Sequence, residues 1–211
     1  MGRLTAAFRS QNADSIVFYA ADLSHYIADA HVPLHTSINY DGQLTGQNGI
    51  HDLWETTVPE VEILGYKLSS RHKAKYLKSP EQEIWKIIEH TFSLLPEMFA
   101  QEKEVSKNFT DSTKYRWEVR WGKNRRFYTS AFAKEYSRAL KSSINDQLIA
   151  SADALADFWY TAWVNAGRPD LNKILKAPYN KGGFKNEKKA FLKNQLVAKK
   201  LLISTQRMTK D

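Results

Sequence analysis

The stretch ADSIVFYAADLSHYIADAHVPLH, residues 13 to 35, decides how this chain folds. Ile16, Val17, Ala20, Leu23 and Ile27 recur in it at three- and four-residue spacings, the period of a helix with one face against a core. Asn12 or Asp14 is placed to cap its start, and the spacing predicts a helix from about Ala13 to His31. Pro33 ends it, because proline has no N–H to donate and its ring disfavours helical geometry at Val32. Beyond lies a loop from Thr36 to Gly49, rich in the turn residues Asn39, Asp41, Gly42, Gly46, Asn48 and Gly49. A short helix is expected from about Ile50 to Glu60.

Further along, Ser79-Pro80-Glu81-Gln82 reads as a helix start, with serine at the cap and proline at the first helical position. That helix is predicted to reach about Glu102, with Ile84, Ile87, Ile88, Phe92 and Leu95 inward and a kink at Pro96. Residues 112 to 126 read as a basic, tryptophan-containing connection or hairpin. Two more helices follow, about Thr129 to Ser142 and Ile144 to Ala166, the second closed by Gly167 with Pro169 just past it. No convincing alternation of apolar and polar residues supports a sheet, so the predicted class is all-α, a multi-helix bundle. The expected organisation is one domain over residues 1–171 and a basic tail over residues 172–211.

The charge supports that division. The formal net charge is +8, yet residues 172–211 hold ten lysines and one arginine against Glu187 and Asp211. The other residues carry 20 basic and 21 acidic groups, so the body is neutral. Such a tail is read as a flexible solvated segment, or, with Phe191, Leu192, Leu196 and Leu201 among its lysines, as an amphipathic helix able to meet anionic lipid. No run approaches the roughly 18 apolar residues of a membrane span. The chain has no cysteine, so any metal must be held by nitrogen and oxygen.

Nitrogen and oxygen ligands are supplied in a pattern. His25 and Asp29 stand four residues apart on the predicted helix, one turn apart on one face. His35 follows the helix-ending proline, and His51 and Glu55 repeat the four-residue spacing on the next helix. Three imidazoles and two carboxylates thus fall within 31 residues, on two helices joined by a turn-rich loop. Neutral imidazole and carboxylate are the ligands zinc takes when thiolates are absent.

The run His25-Tyr-Ile-Ala-Asp29-Ala-His-Val-Pro-Leu-His35, followed by His51-Asp-Leu-Trp-Glu55, resembles the signature of the zinc-dependent phospholipase C and single-strand-specific nuclease superfamily. That signature is His, three residues, Asp, five residues, His, a variable loop, then His, three residues and Asp or Glu. The segment Phe158 to Gly167 resembles the end of the catalytic domain in bacterial members, so the resemblance covers about residues 4 to 171. It implies the helical bundle of that superfamily and a cluster of up to three zinc ions. His35, His51 and Glu55 would hold one ion; His25 and Asp29 would supply half the shell of a second; Asp29 would bridge to the third as the catalytic carboxylate. Glu55 matches the phospholipase branch, where the nucleases usually have Asp.

The chain departs from that pattern at its start. Members open with a Trp whose amine and carbonyl bind zinc, and supply a His, an Asp and a second His ahead of the matched helix. Here no His or Trp precedes His25, so the chain is expected to be an N-terminally truncated form with one well-built zinc site. The superfamily is typically secreted or periplasmic. Met1 to Gln11 has none of the basic start, apolar stretch and small-residue cleavage site of a signal peptide, so the chain as written reads as cytoplasmic or of open location.

The implied function is zinc-dependent hydrolysis of phosphodiesters, phospholipid or single-stranded nucleic acid, by a metal-activated water. No stable protein partner is implied. The alternative is a catalytically inactive zinc-binding fragment or interaction module, and a third reading is a structural helical protein. Asn39 and Tyr40, with Gln43, are candidate substrate contacts on the loop, although turn and packing roles suit them as well. His31 faces away from the His25–Asp29 pair and reads as structural. His72 and His90 are isolated, Trp54 is expected in the core, and Trp159 and Trp163 are expected on a buried helix face.

Overall fold

A first helix, α1 (Gly2–Arg9), leads into the helix expected from residue 13, which runs over Ala13–Asp29 (α2). Asn12 caps α2, its side-chain oxygen accepting the Ser15 N–H at 2.9 Å. In this computed structural model residues 1–120, 122–174 and 180–202 are described. Ile16, Tyr19, Ala20 and Leu23 of α2 pack with Leu4 and Phe8 of α1, and Ile27 packs with Leu77 and Phe158. Val17, expected inward, is 70% exposed. It stands about 100° round the helix from Ile16, and α2 meets α1 and the long helix near the C-terminus on one side only.

Past Pro33 the chain makes a 3₁₀ turn, Pro33–Thr36, and then the loop. The next helix, α3, begins as Ile50–Asp52, passes through a π turn at Leu53–Thr57 and ends as Val58–Glu62. Pro59 explains the wide turn. It has no N–H for the carbonyl of Glu55, four residues earlier, and its ring would crowd that carbonyl in a regular helix. Leu34, Ile50, Leu53 and Val58 are fully buried in the main core with Trp54, Met98, Phe132 and Tyr136. Each such side chain contributes about 1.5–3 kcal/mol by leaving water.

The helix expected to run unbroken from residue 80 is two helices, α4 (Pro80–Phe92) and α5 (Leu95–Ser106). Pro96 forbids continuity, since its ring would strike the carbonyl of Phe92. Phe92 is accordingly at a helix end and 55% exposed, while Leu95 is buried. A single turn, α6 (Asp111–Lys114), then precedes a hairpin of β1 (Tyr115–Arg120) and β2 (Lys123–Tyr128), paired antiparallel from Tyr115↔Tyr128 to Arg120↔Lys123. The structure is therefore mostly helical with one small two-stranded sheet, which is compatible with the all-α class. β1 alternates in sequence, Tyr115, Trp117 and Val119 against Arg116, Glu118 and Arg120, but in β2 only Phe127 and Tyr128 are apolar and buried. The rest of that strand is polar or basic on both faces.

The last long helices are α7 (Ser130–Leu140) and α8 (Ser143–Asn165), followed by α9 (Leu171–Ile174) and α10 (Lys181–Leu192). Gly167 adopts φ +91° just past α8, the left-handed conformation expected there. Trp163 is half-buried, but Trp159, expected on a buried face, is 39% exposed, with its Nε1 donating to the Ala20 carbonyl at 3.3 Å. An extended strap, residues 66–77, lies along α8. Lys67 N–H bonds Asn145, Ser70 Oγ bonds Asp153, and Leu77 N–H bonds Thr161. After α10, Asn194 holds the same strap at Tyr66 and Leu68. Trp121 and the tail residues 175–179 and 203–211 lie outside the described residues. Among the described residues no helix is long and apolar enough to cross a membrane.

Candidate metal centre

Three of the five candidate ligands sit beside a residue that the core holds firmly. His35 follows buried Leu34, His51 lies between buried Ile50 and Leu53, and Glu55 follows buried Trp54. Hydrophobic burial thus fixes backbone on both sides of the loop, and the polar side chains project from that anchored frame.

Three of the five meet at a point. His35 Nε2 lies 3.0 Å from His51 Nε2, His51 Nε2 lies 2.8 Å from Glu55 Oε2, and His35 Nε2 lies 3.5 Å from the same oxygen. A proton serves one donor–acceptor pair at a time, whereas a cation between the three atoms would accept a lone pair from each. Bonds of about 2.0–2.1 Å in a tetrahedral site place ligand atoms roughly 3.3–3.4 Å apart. The observed separations bracket that value, so the donor set fits a divalent ion in size and in chemistry. Among the described residues this is the group of three ligand-type side chains whose donor atoms all lie within 4.8 Å of one another.

The other two form a looser neighbour. His25 Nε2 is 3.3 Å from Asp29 Oδ2, and Asp29 Oδ1 is 3.7 Å from His35 Nδ1. The second separation is too long for a hydrogen bond. It leaves the Asp29 carboxylate near the far nitrogen of a His whose near nitrogen is in the cluster, without bonding to it.

Electrostatics within the cluster are mutual. The hydrogen bond to Glu55 raises His51 above the ordinary imidazole pKa against the opposing effect of burial, with Glu55, Asp41 and Asp52 adding negative charge nearby. The same bond lowers Glu55 below the ordinary carboxylate value, assisted by His51, His35 and His25. His31 behaves differently. It is buried, desolvation lowers its pKa, and its Nδ1 lies 2.7 Å from the Ile27 carbonyl, to which it donates.

The loop between the ligands is built, not slack. Asn39 is buried and spends its amide inside the loop, Oδ1 accepting from Leu44 N–H at 2.8 Å and Nδ2 donating to Thr45 Oγ1 at 3.1 Å. Tyr40 is 56% exposed, and Gln43 donates to the Ile38 carbonyl. Gly42 adopts φ +76°, and a Cβ there would stand 2.4 Å from the Gln47 carbonyl oxygen. Asp41 Oδ1 accepts the Gly49 N–H, which delivers the chain into α3.

Sequence reading missed the group that ties this loop down. Gln47, 3% exposed, donates Nε2 to the Phe99 carbonyl and to Glu102 Oε2. Glu102, itself 1% exposed, also accepts from Tyr128, Ser106 and Lys114. Nothing in the spacing of these residues marks them, because they come from four separate elements. His72, read as isolated, has a partner in buried Asp157 at 2.7 Å. His90 lines a cavity with His31, away from the three-ligand cluster. Compared with protein-family models, with curated proteins and with solved structures, the chain returns no match.

Proposed function

We propose that this chain is the zinc-holding part of a hydrolase of phosphodiester bonds. The observation that carries the reading is the convergence of His35 Nε2, His51 Nε2 and Glu55 Oε2 within 3.5 Å of one another. These are residues of the stretch that resembles the zinc-dependent phospholipases C and single-strand-specific nucleases. The helices on either side of the loop are read, on that resemblance, as the metal-bearing part of that superfamily's helical domain.

His35, His51 and Glu55 would hold the ion, leaving a fourth position for water or substrate. Zinc bound there supplies hydroxide near neutral pH and takes up charge developing on phosphoryl oxygens. The chain's own residues do the rest. Asp29, with His25, would offer a two-ligand shell for a neighbouring ion. An open groove of about 540 Å³ lined by Asp29, His35, Tyr26 and Ile84 would let a substrate approach the cluster from the side of His35. No covalent nucleophile is needed, because water attacks and the ester oxygen leaves.

One observation favours a second reading, a non-catalytic metal-binding module. The His25–Asp29 pair has no third ligand gathered with it among the described residues. The test is to titrate the metal-free chain with zinc and then assay bis(p-nitrophenyl) phosphate, lecithin and single-stranded DNA. Zinc-dependent release from any of them supports the hydrolase. One tightly held zinc per chain with no turnover on all three supports the module, and a chain that holds no zinc overturns both.

A further inference from the structure

The β1–β2 hairpin, residues 115–128, holds five basic residues and one acid, a net charge of +4. The other residues of 1–171 hold 15 basic and 20 acidic groups, so the hairpin is a positive island on an acidic body. Its root is built into the core. Phe127 and Tyr128 are buried, and the Tyr115 and Tyr128 rings lie with centroids 5.0 Å apart. Its outer part stands in water. Lys123, Asn124, Arg125 and Arg126 are exposed, and so are Trp117 and Val119, at 69% and 70%.

Register decides which of these share a surface. Trp117 and Val119 are two residues apart on β1, and side chains at that spacing leave one face of a strand. Their cross-strand partners Arg126 and Asn124 stand on the same face. Neither Trp117 nor Val119 belongs to an apolar cluster of the fold, so neither helps to hold the hairpin in place. Other bare apolar side chains have acidic surroundings. Val17 and Phe18 are on α2, which carries three aspartates and no lysine or arginine. Trp85 is on α4, which sets three glutamates against Lys86. On the hairpin, bare tryptophan and valine coincide with an excess of positive charge.

We propose that the outer hairpin is a docking surface for an anionic lipid bilayer, with Trp117 and Val119 entering the interfacial region. Tryptophan favours the boundary between headgroups and acyl chains. Lysine and arginine lay their stems along apolar surface while their charges reach headgroup phosphates. An anionic leaflet attracts such a cluster. Single-stranded nucleic acid suits this face less, because it stacks on a row of open rings. The Arg126 guanidinium covers the Tyr115 ring at 4.0 Å and Val119 has no π face, which leaves Trp117 alone. The inference is independent of the metal reading.

The test uses the full chain in chelator, so that no metal-dependent hydrolysis alters the lipid. It is floated with vesicles of phosphatidylcholine and phosphatidylserine, about two to one, and with phosphatidylcholine alone. The anionic vesicles should bind at least about tenfold more tightly. A chain with Trp117→Ala and Val119→Ala, its fold checked by melting temperature, should lose about tenfold of that affinity, the scale of one apolar side chain kept in water. Residues 172–211 are basic too, so position is read directly. The chain has no cysteine, and Val119→Cys therefore carries a single environment-sensitive dye whose emission should shift to the blue on anionic vesicles. Equal binding to both vesicle types, or to neither, overturns the proposal. So does binding that the double variant leaves intact while the dye stays in water, which assigns lipid contact to the tail. If the double variant loses a labelled oligothymidylate and keeps the vesicles, the face is a nucleic-acid surface and the proposal falls.

Discussion

Gln47 Nε2 stands 2.6 Å from Glu102 Oε2, a contact that spans 55 residues of sequence and pins the ligand-bearing loop to α5. The same carboxylate accepts from Lys114 Nζ at 2.7 Å, with Lys114 also placed over the rings of Tyr115, Tyr128 and Phe132. Burial pulls the Lys114 pKa down, but Glu102 and Tyr115 outweigh it and leave it raised. Contacts of Glu102 and Lys114 together link the loop, α5, α6, the hairpin and α7.

Removing the cation should be costly. Lys114→Met leaves the Glu102 carboxylate buried without its counter-charge, a loss of about 3–5 kcal/mol by comparison with other broken buried pairs. For a domain of this size that is a fall in melting temperature of roughly 10 °C. Thermal unfolding followed by circular dichroism checks it. A fall below about 2 °C would mean that the pair is not buried as described.

Gly42→Ala tests the loop itself. The substitution forces an L-residue to φ +76° and drives its Cβ into the Gln47 carbonyl, so the turn must rearrange. The main core is not touched. The expected outcome is a drop in melting temperature of a few degrees and a clear loss of zinc affinity, read by competition with a chromophoric chelator. Unchanged affinity would show that the loop does not set the distance between His35 and His51.

Ligand substitutions should divide into two classes. His51→Ala, His35→Ala and Glu55→Gln each remove or weaken an atom of the convergent three, and zinc bound per chain should fall from about one towards none. His25→Ala removes an exposed ring that meets only Asp29 among the ligands, and should leave that first zinc in place. Metal analysis after dialysis decides. Equal losses across all four would mean that the cluster is not confined to His35, His51 and Glu55.

The metal-free chain should respond to pH through the His51–Glu55 pair. His51 is raised, so its contribution is full below the ordinary imidazole pKa and is lost as pH climbs through the raised value. Glu55 is lowered, so its contribution is full above the ordinary carboxylate pKa and is lost as pH falls through the lowered value. In chelator, the contribution of this pair should be largest between about pH 5 and 6 and decline towards about pH 8. Zinc competes with the proton on His51, so its apparent affinity should rise across that upper range. The difference in melting temperature between wild type and Glu55→Gln, followed from about pH 5 to 9, isolates the pair. A difference that does not vary with pH would show that the two groups are not coupled.

Much of the frame was legible because it is local. The periods at Ile16, Ala20, Leu23 and Ile27, the cap at Asn12 and the stop at Pro33 act over one or two turns, and α2 forms where they place it. The four-residue spacing of His51 and Glu55 likewise puts both on one side of α3, and there they meet at 2.8 Å. The hairpin was harder to read because its strands are mostly solvated. β1 does alternate, but over three apolar residues only, of which Trp117 and Val119 are exposed, and β2 opens on Lys123, Asn124, Arg125 and Arg126, so no apolar face carries over from one strand to the next.

Sequence alone therefore determined which residue types are available as ligands, their spacing along each helix, and where α2 must end. Only the tertiary structure decided that His35 swings back to within 3.0 Å of His51 across a loop. It also decided that Gln47 reaches Glu102 from a different element. The physical reason is range. Helix period and proline stops act through the backbone within a few residues, whereas these contacts form between distant segments that buried side chains such as Leu34, Ile50 and Leu53 draw together when they leave water.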